Sequence, residues 1–547
     1  MNHDHSTGSE SQHPNTNRRR EATELGQTNR AGGATVHYLG HAGFIVHNSR
    51  CRILIDPWFF PAFLKSWFPY PDNRFLLPEV LGQKFDYIYL SHTHEDHFDA
   101  VFLEQLPRDI RVIAAKYRSR SLSRRMRRLG FRDIIELDHK QAVPLDAGIT
   151  ATMYMDTSHK EDSGILLDID GFRFLDLNDC NTQMSELPSD IDLLAAQYSG
   201  AMWYPNCYDY PPREMAKRVA TVRRDLMDTL IQKVNLTQAK AYLPSAGPAC
   251  FLDPELDCHN DRDSTIFPIW EQVAGDFAVS CGRTDVIRLA PGDRIELGSS
   301  LKVVPTANRK LEEDIPAYRE RRKSEWDSYY TKPDPPVSAT EIESYFIKLQ
   351  RKNRNFLADY RKNIRVISDS DFWDVQLGRL AEDFEIESEE PYDPEYTVLV
   401  PTRVLHSILD GETGWEEALL SMRLGLHRDP DVFDLTLMGL LRYGNHPVQT
   451  MQMLRERQNT ENIVRDGLKI QRYCPHAGED LSFAKIENGR IECPRHHWIW
   501  DAETGECLEK ASIPLRVKVL NDSDDAAHAI DHIPAEPDEA INEKLGE

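Results

Sequence analysis

The sequence predicts an α+β chain in which a large mixed domain precedes a small all-β module. Three observations carry this. From Ala34 to about Leu301, short apolar runs alternate with turn signals and helical stretches. Residues 309 to 385 are heavily charged, with Tyr, Trp and Phe at helical intervals, which predicts amphipathic helices covering one side of the core. Near the C-terminus two short Cys/His segments flank a stretch broken at Gly489, which reads as a pair of hairpins.

Taken in order, residues 1–33 are rich in Asn, Ser, Thr, His and Arg and are expected to be disordered, with no metal role for their histidines. Residues 34–300 form the mixed domain. Residues 301–458 form a mostly helical extension, in which Trp415 opens a helix after the Asp410-Gly411 turn. Residues 459–520 make up the all-β module, and 521–547 an acidic tail expected to be mobile. At 547 residues the chain can hold two or three domains and a large core.

The net charge of -24, with an isoelectric point near 5.3, argues against a nucleic-acid partner, because Lys and Arg supply most of such affinity. No stretch approaches the roughly 20 apolar residues of a membrane span, and the first thirty residues carry no apolar leader core. The expected location is cytoplasmic. Seven of the nine cysteines (Cys51, Cys180, Cys207, Cys250, Cys258, Cys281, Cys507) form no paired framework, as expected of free thiols in a reducing compartment.

The other two belong to a ligand pattern. Cys474-Pro475-His476 is followed after sixteen residues by Cys493-Pro494-Arg495-His496, the ligand set of a Rieske [2Fe-2S] centre, where Cys474 and Cys493 hold one iron and His476 and His496 the other. Structural zinc is the plainer alternative. A C-x-H followed by a C-x-x-H is not a usual finger spacing, whereas two short loops each giving one thiolate and one imidazole are what the Rieske resemblance implies. Such a cluster moves single electrons, so another part of the chain should need them.

That part is Ser91-His92-Thr93-His94-Glu95-Asp96-His97, which follows the strand-like run Phe85 to Leu90. In a loop held by a strand end, the i and i+2 histidines can converge on one ion while the Asp-His pair turns toward a second. The segment resembles the H-x-H-x-D-H signature of the metallo-β-lactamase fold. Val36 to Ala42 and Ile53 to Trp58 look like that fold's opening strands. The resemblance implies a four-layer αββα sandwich, with His92, His94, Asp96 and His97 as ligands and His159 of Ser158-His159-Lys160-Glu161-Asp162 as the third histidine. It also implies Asp179 as the bridging carboxylate and Asp56 as the group orienting a metal histidine. Asp56, Asp96 and His97 are the residues expected to serve catalysis. The fold's last metal histidine should follow Ala241 to Gly247 but is missing, so either Asp253 or His259 substitutes or the second ion is weakly held or absent; Asp253, before Pro254, reads first as an ordinary turn residue. Imidazole and carboxylate suit zinc and iron alike. Zinc has no redox chemistry for a one-electron donor to serve, so one or two irons are expected, with zinc or manganese as the alternative.

A Rieske module joined to this fold is similar to the CMP-N-acetylneuraminate hydroxylase family, in the ascorbate-6-phosphate-lactonase-like branch. The resemblance extends to Asp156 through Asp162, Pro244 to Gly247 and Leu426 to Asp431, although the animal enzymes carry the Rieske module first and this chain carries it last. It implies an iron oxygenase that takes electrons through the cluster and hydroxylates an unactivated carbon with O2; the substrate does not follow from the resemblance, and a small polar molecule, sugar- or nucleotide-linked among the options, is expected. The expected donor is external, a ferredoxin, flavodoxin or cytochrome with its reductase, and a homo-oligomer is possible. The rival reading is a lactone or phosphodiester hydrolase whose Rieske module senses redox state. A second rival is an electron-transfer or scaffold protein that has lost catalysis.

Two further segments have double readings. Arg118, Arg120, Arg124, Arg125, Arg127 and Arg128 form either a solvated helix face or a docking patch for an acidic donor. The aromatic loop Tyr198 to Tyr208 either packs or walls a pocket.

Overall fold

The computed structural model describes residues 33–520 apart from 146–147, 298–299, 308, 332, 379–393, 477, 496 and 509–512. The expected N-terminal disorder over 1–32 and the acidic tail lie outside the described residues, as does the cluster ligand His496. Among the described residues no helix is long and apolar enough to cross a membrane.

Two sheets face each other across one apolar layer. The first has eight strands in the order Leu301–Val304, Arg294–Leu297, Ala34–Gly40, Gly43–His47, Arg52–Ile55, Tyr87–Tyr89, Arg111–Ala115 and Ile134–Leu137. The second has seven, in the order Asp285–Val286, Ala241–Ser245, Leu193–Gln197, Phe172–Asn178, Ser163–Ile169, Ile149–Met155 and Ala142–Pro144. Strand alternation sets the layering, because successive side chains point to opposite faces. Along Ser163–Ile169, Ile165, Leu167 and Ile169 enter the layer between the sheets, while Leu166 joins the outer face. There it packs with Leu175, Leu194 and Tyr242 under helices Pro212–Thr237 and Trp270–Cys281. On the other side, helices Ala100–Leu103 and Ser121–Arg128 set Phe102, Leu103, Leu122 and Met126 against the first sheet. This is the four-layer αββα sandwich expected from the sequence.

The extension departs from its helical expectation. Helices Ile315–Arg321 and Ala339–Lys352 are present, the latter started by a reciprocal Ser338/Glu341 cap. From Lys362, however, the chain forms an antiparallel hairpin, Lys362–Ser368 with Asp371–Leu377, which joins Tyr396–Leu399 and Gly425–Arg428 in a four-stranded sheet. The period here is two, with Ile364 and Val366 buried on one face and Arg365 on the other, bonded across the pair to Asp374 at 2.6 Å. Two of the charges that suggested helix surfaces, Arg365 and Asp374, are cross-strand partners. Trp415–Leu420 is a helix, as expected.

In the C-terminal module, two hairpins turn at Asp466-Gly467 and Asn488-Gly489, each with φ positive at both residues (50° and 75°, 53° and 71°). Such turns match the twist of paired strands, and Gly supplies the left-handed position without a Cβ penalty. Leu468, Ile470, Leu481, Ile491 and Trp500 form the module's core together with Cys474 and Cys493.

Candidate metal centres

The strand Tyr87–Tyr89 lies parallel between Arg52–Ile55 and Arg111–Ala115, and its C-terminal end delivers Ser91 to His97 into the edge of the sandwich. Asp56, at the end of the neighbouring strand, organises this loop. Its Oδ1 accepts from the Ser91 backbone N–H at 2.8 Å, and its Oδ2 accepts from Ser91 Oγ at 2.5 Å and His97 Nδ1 at 2.8 Å. The Nδ1 bond leaves His97 Nε2 to face inward, 3.6 Å from Asp179 Oδ2 and 3.9 Å from Asp96 Oδ2. Asp56 thus holds the His97 ring through Nδ1 and fixes its direction.

Two overlapping sets of donor atoms meet at His97. In one, the ligand atoms of His92, His97 and Asp179 all lie within 4.8 Å of one another; in the other, those of His41, Asp96 and His97 do. His97 Nε2, Asp96 Oδ1, Asp179 Oδ1 and His41 Nδ1 are buried without a hydrogen-bond partner, which is costly in a protein interior unless an ion satisfies them. Electrostatics say the same. Burial works against the charge on Asp96, yet His97 and His41 outweigh it and bring the carboxyl down to about 2. Burial also disfavours a proton on His97, but Asp179 and Asp96 outweigh it and raise its pKa well above the ordinary value. Burial and then Asp179 push Asp162 up to about 8, and burial with Asp56 raises Asp176 well above its ordinary value. Burial and neighbouring carboxylates keep Asp162 and Asp176 from ionising, and with the unpaired buried donor atoms the residues present fit a bound cation.

The remaining ligand expectations divide. His94 stands beside the centre, its Nδ1 2.9 Å from His92 Nε2 and its Nε2 3.6 Å from Glu416 Oε1. His159 is not brought there. Its Nδ1 is bonded to Glu456 at 2.8 Å, and it lines a small cavity with Cys474, Pro475 and His476. Asp162, three residues on, lies instead against a histidine of the centre, 3.3 Å from His92 Nδ1. The physical reason is competition for partners: Ser158 N–H and Oγ brace the turn on Asp156 Oδ1, Glu456 takes the His159 ring, and Asp162 is left against His92. Neither proposed substitute joins the centre. Asp253 is fully used, accepting from Tyr330 Oη at 2.8 Å and Arg423 Nη1 at 2.8 Å and capping Glu255 N. His259 packs against the Phe251 ring at 5.2 Å, and burial lowers it to about 4.

Sequence reasoning missed His41, Asp162 and Glu416. The first stands in the Gly40-His41 turn, with φ of 107° and 51°, and its Nε2 lies 3.2 Å from Asp96 Oδ2. Of the arginine patch, Arg124, Arg127 and Arg128 are exposed, but Arg125 donates to the Thr93 carbonyl at 2.8 Å and so braces the histidine loop. The aromatic loop mostly packs: Tyr204, Tyr208 and Tyr210 cluster together, and Trp203 lies 5.1 Å under Arg442.

The described cluster ligands Cys474 and Cys493 are buried at the tips of two loops, closed by Gly478 N–H on the Cys474 carbonyl (2.8 Å) and His497 N–H on that of Cys493 (3.1 Å). Burial holds the His476 imidazole neutral, its pKa well below the ordinary value, as a ligand nitrogen must be. Buried thiols beside a neutral imidazole fit a [2Fe-2S] cluster. The module sits on the sandwich through Arg495, 2 % exposed, whose Nη2 meets Asp156 at 2.9 Å. Thr229 Oγ1 donates to the Arg495 carbonyl, Gln183 to that of Gly478, and Met184 N–H to Glu479.

Comparison with known families agrees. Residues 462–521 match the Rieske [2Fe-2S] domain and 35–154 the beta-lactamase superfamily domain. The chain is an iron–sulfur oxidoreductase with a Rieske module on a metallo-β-lactamase fold. A protein of Mycobacterium tuberculosis strain H37Rv, described as a Rieske 2Fe-2S iron-sulfur protein, is 29% identical over 521 residues, covering 87% of this chain and 98% of its own. A similarly described protein of Mycolicibacterium smegmatis is 28% identical over 519 residues, with 88% and 99% covered. The cytidine monophosphate-N-acetylneuraminic acid hydroxylase of Danio rerio is 24% identical over 444 residues, with 76% and 72% covered. Among solved structures, CmlA, a diiron beta-hydroxylase from Streptomyces venezuelae, aligns at 19% identity with a TM-score of 0.34 over 50% of this chain and 54% of its own, too loosely to bear on mechanism.

Proposed function

We propose that the chain is a Rieske-coupled oxygenase that hydroxylates a small polar substrate with O2, using iron at the buried centre. His92, His97 and Asp179, together with His41, Asp96 and Asp162, would hold the iron, with His94 beside them. When bound, the cluster supplies electrons singly and the iron binds and activates dioxygen.

One observation carries the reading. The segment Asp156 to Asp162 touches both centres: Asp156 grips Arg495 in the cluster loop, and Asp162 stands against His92. Six residues of extended chain span at most about 20 Å. Arg495 lies between the ligands Cys493 and His496, so the donor module is fixed where single electrons are of use. The chain's own residues do the rest: Asp56 sets the His97 tautomer, Arg125 holds the Thr93 carbonyl, and Asp99 caps the following helix while accepting from Phe59 and Phe60 N–H. Resemblance to the hydroxylase relatives supports a sugar- or nucleotide-linked substrate.

Anaerobic purification with metal analysis and paramagnetic resonance tests this. Iron beyond two atoms per chain, a Rieske signal on reduction and O2 consumption by the reduced protein are expected. Zinc without extra iron, with hydrolytic activity indifferent to oxygen, would replace the oxygenase by a hydrolase.

A further inference from the structure

His159 stands between the two centres. It is 5 % exposed, Glu456 holds its Nδ1 at 2.8 Å, and it shares a cavity wall with Cys474 and His476. On its other side the ring packs edge-on against Tyr443, with centroids 5.4 Å apart. The guanidinium of Arg442 lies 4.8 Å over the Tyr443 ring. Arg442 donates through Nε to Glu416 at 3.0 Å, and the same carboxylate oxygen lies 3.6 Å from His94 Nε2. The side chains of His159, Tyr443, Arg442 and Glu416 are each less than a quarter exposed.

Separate elements supply this line. Glu456 comes from helix Pro447–Gln458, Arg442 and Tyr443 from the last turn of Leu435–Tyr443, and Glu416 from the first turn of Trp415–Leu420. Buried charges are costly where apolar side chains of similar volume would serve, so a run of them from one centre to the other calls for a reason beyond packing. Histidine, tyrosine and a stacked guanidinium form a run of contacting polarisable groups that starts at the cavity wall beside the cluster loop and ends at Glu416.

We propose that His159, followed by Tyr443, Arg442 and Glu416, is the electronic bridge from the cluster module to the buried centre, with His159 a positioning residue and not a metal ligand. This rests on the oxygenase reading. One electron leaves the reduced cluster, which passes from one ferrous and one ferric ion to two ferric ions, and one ferric ion at the buried centre becomes ferrous. An external one-electron donor of the reduced-ferredoxin class restores the cluster. No bond is made or broken at His159.

The test uses the full-length holoprotein, oxidised and anaerobic, mixed rapidly with one electron equivalent of dithionite. In the wild type the reduced-cluster signal should rise and then decay as the electron moves on. In His159→Phe, which keeps ring volume and loses the Glu456 bond, the decay should slow by about 10- to 100-fold, the usual cost of removing an orienting group outside the ligand shell. Iron content and the resonance line shape should stay as in the wild type. His159→Gln, which can still bond Glu456, should recover part of the rate, and Tyr443→Leu should slow the decay from the middle of the path. An unchanged decay in both His159→Phe and Tyr443→Leu overturns the bridge. Loss of iron from the buried centre in His159→Phe overturns it differently, by making His159 a ligand. If the wild type holds no reducible metal beyond the cluster, the oxygenase reading falls and the bridge with it.

Discussion

The two histidine segments handle their donors in opposite ways. In Ser91 to His97, a strand end and one carboxylate, Asp56, gather His92, His94, Asp96 and His97 at a single point. In Asp156 to Asp162 the residues separate: Asp162 goes to that point, while Asp156 and His159 go to the cluster module. The lesson is that a loop anchored by one neighbouring group focuses its ligands, whereas a segment lying in an interface serves both sides. A motif match alone does not distinguish the two cases.

The largest effect should come from the interface segment. Asp156→Ala removes the nearer of the two buried carboxylates facing Arg495 and leaves Glu479 at 3.8 Å, a loss of about 3 kcal/mol of stability, the low end of the usual cost of breaking a buried pair. Denaturant melts of the oxidised holoprotein would show it, and a loss under 1 kcal/mol would mean the interface is not held by charge. The same pair has a signed pH dependence. Burial opposes ionisation of Asp156, but Arg495 and Lys160 outweigh it and hold the carboxyl below its ordinary range. A lowered carboxylate pKa gives stability that is complete above the unfolded value of about 3.9 and is lost as the pH falls through the folded one. Hydrogen exchange at the interface should therefore stay slow down to about pH 4 and quicken below it.

Next comes the division between Asp162 and His159. Asp162→Ala should weaken metal binding at the buried centre by about 100-fold or more, whereas His159→Ala should leave metal content unchanged. Equal losses in competition with a chelator would return His159 to the ligand set. Asp56→Asn, which frees His97 to turn, should cost about 10- to 100-fold in metal affinity or activity by the same measurement. The smallest effect is expected at Gly467→Ala. The position has φ of 75° and open space around it, so backbone strain alone should remove about 1–2 kcal/mol from the module.

Much of this was readable from residue order. The cluster pattern and the loop from His92 to His97 are contiguous, so their chemistry survives without three-dimensional knowledge. His41 and Glu416 were not readable, because each reaches the centre from a distant part of the chain and nothing local marks the convergence. The fate of His159 depends on Glu456, 297 residues away. Asp253 looked available because its partners Tyr330 and Arg423 lie 77 and 170 residues from it. The hairpin at Lys362–Ser368 was hidden by its own charges, since a period of two in Ile364 and Val366 is easily masked when the intervening positions carry Arg and Asn.

His41, Asp56, Asn178 and Ala246 all hold φ between 35° and 51°, a conformation that non-glycine residues adopt at a cost of roughly 1–3 kcal/mol each. Asn178 adjoins the ligand Asp179, and the Ala246 N–H is bonded to the His41 carbonyl. Strain of that kind persists where the surrounding sandwich dictates the backbone, so on the proposed reading the donor set is shaped by folding before any ion binds. Loading should then resemble the filling of a mould: fast uptake, little change in far-ultraviolet dichroism, and a demetallated chain that still melts as one unit.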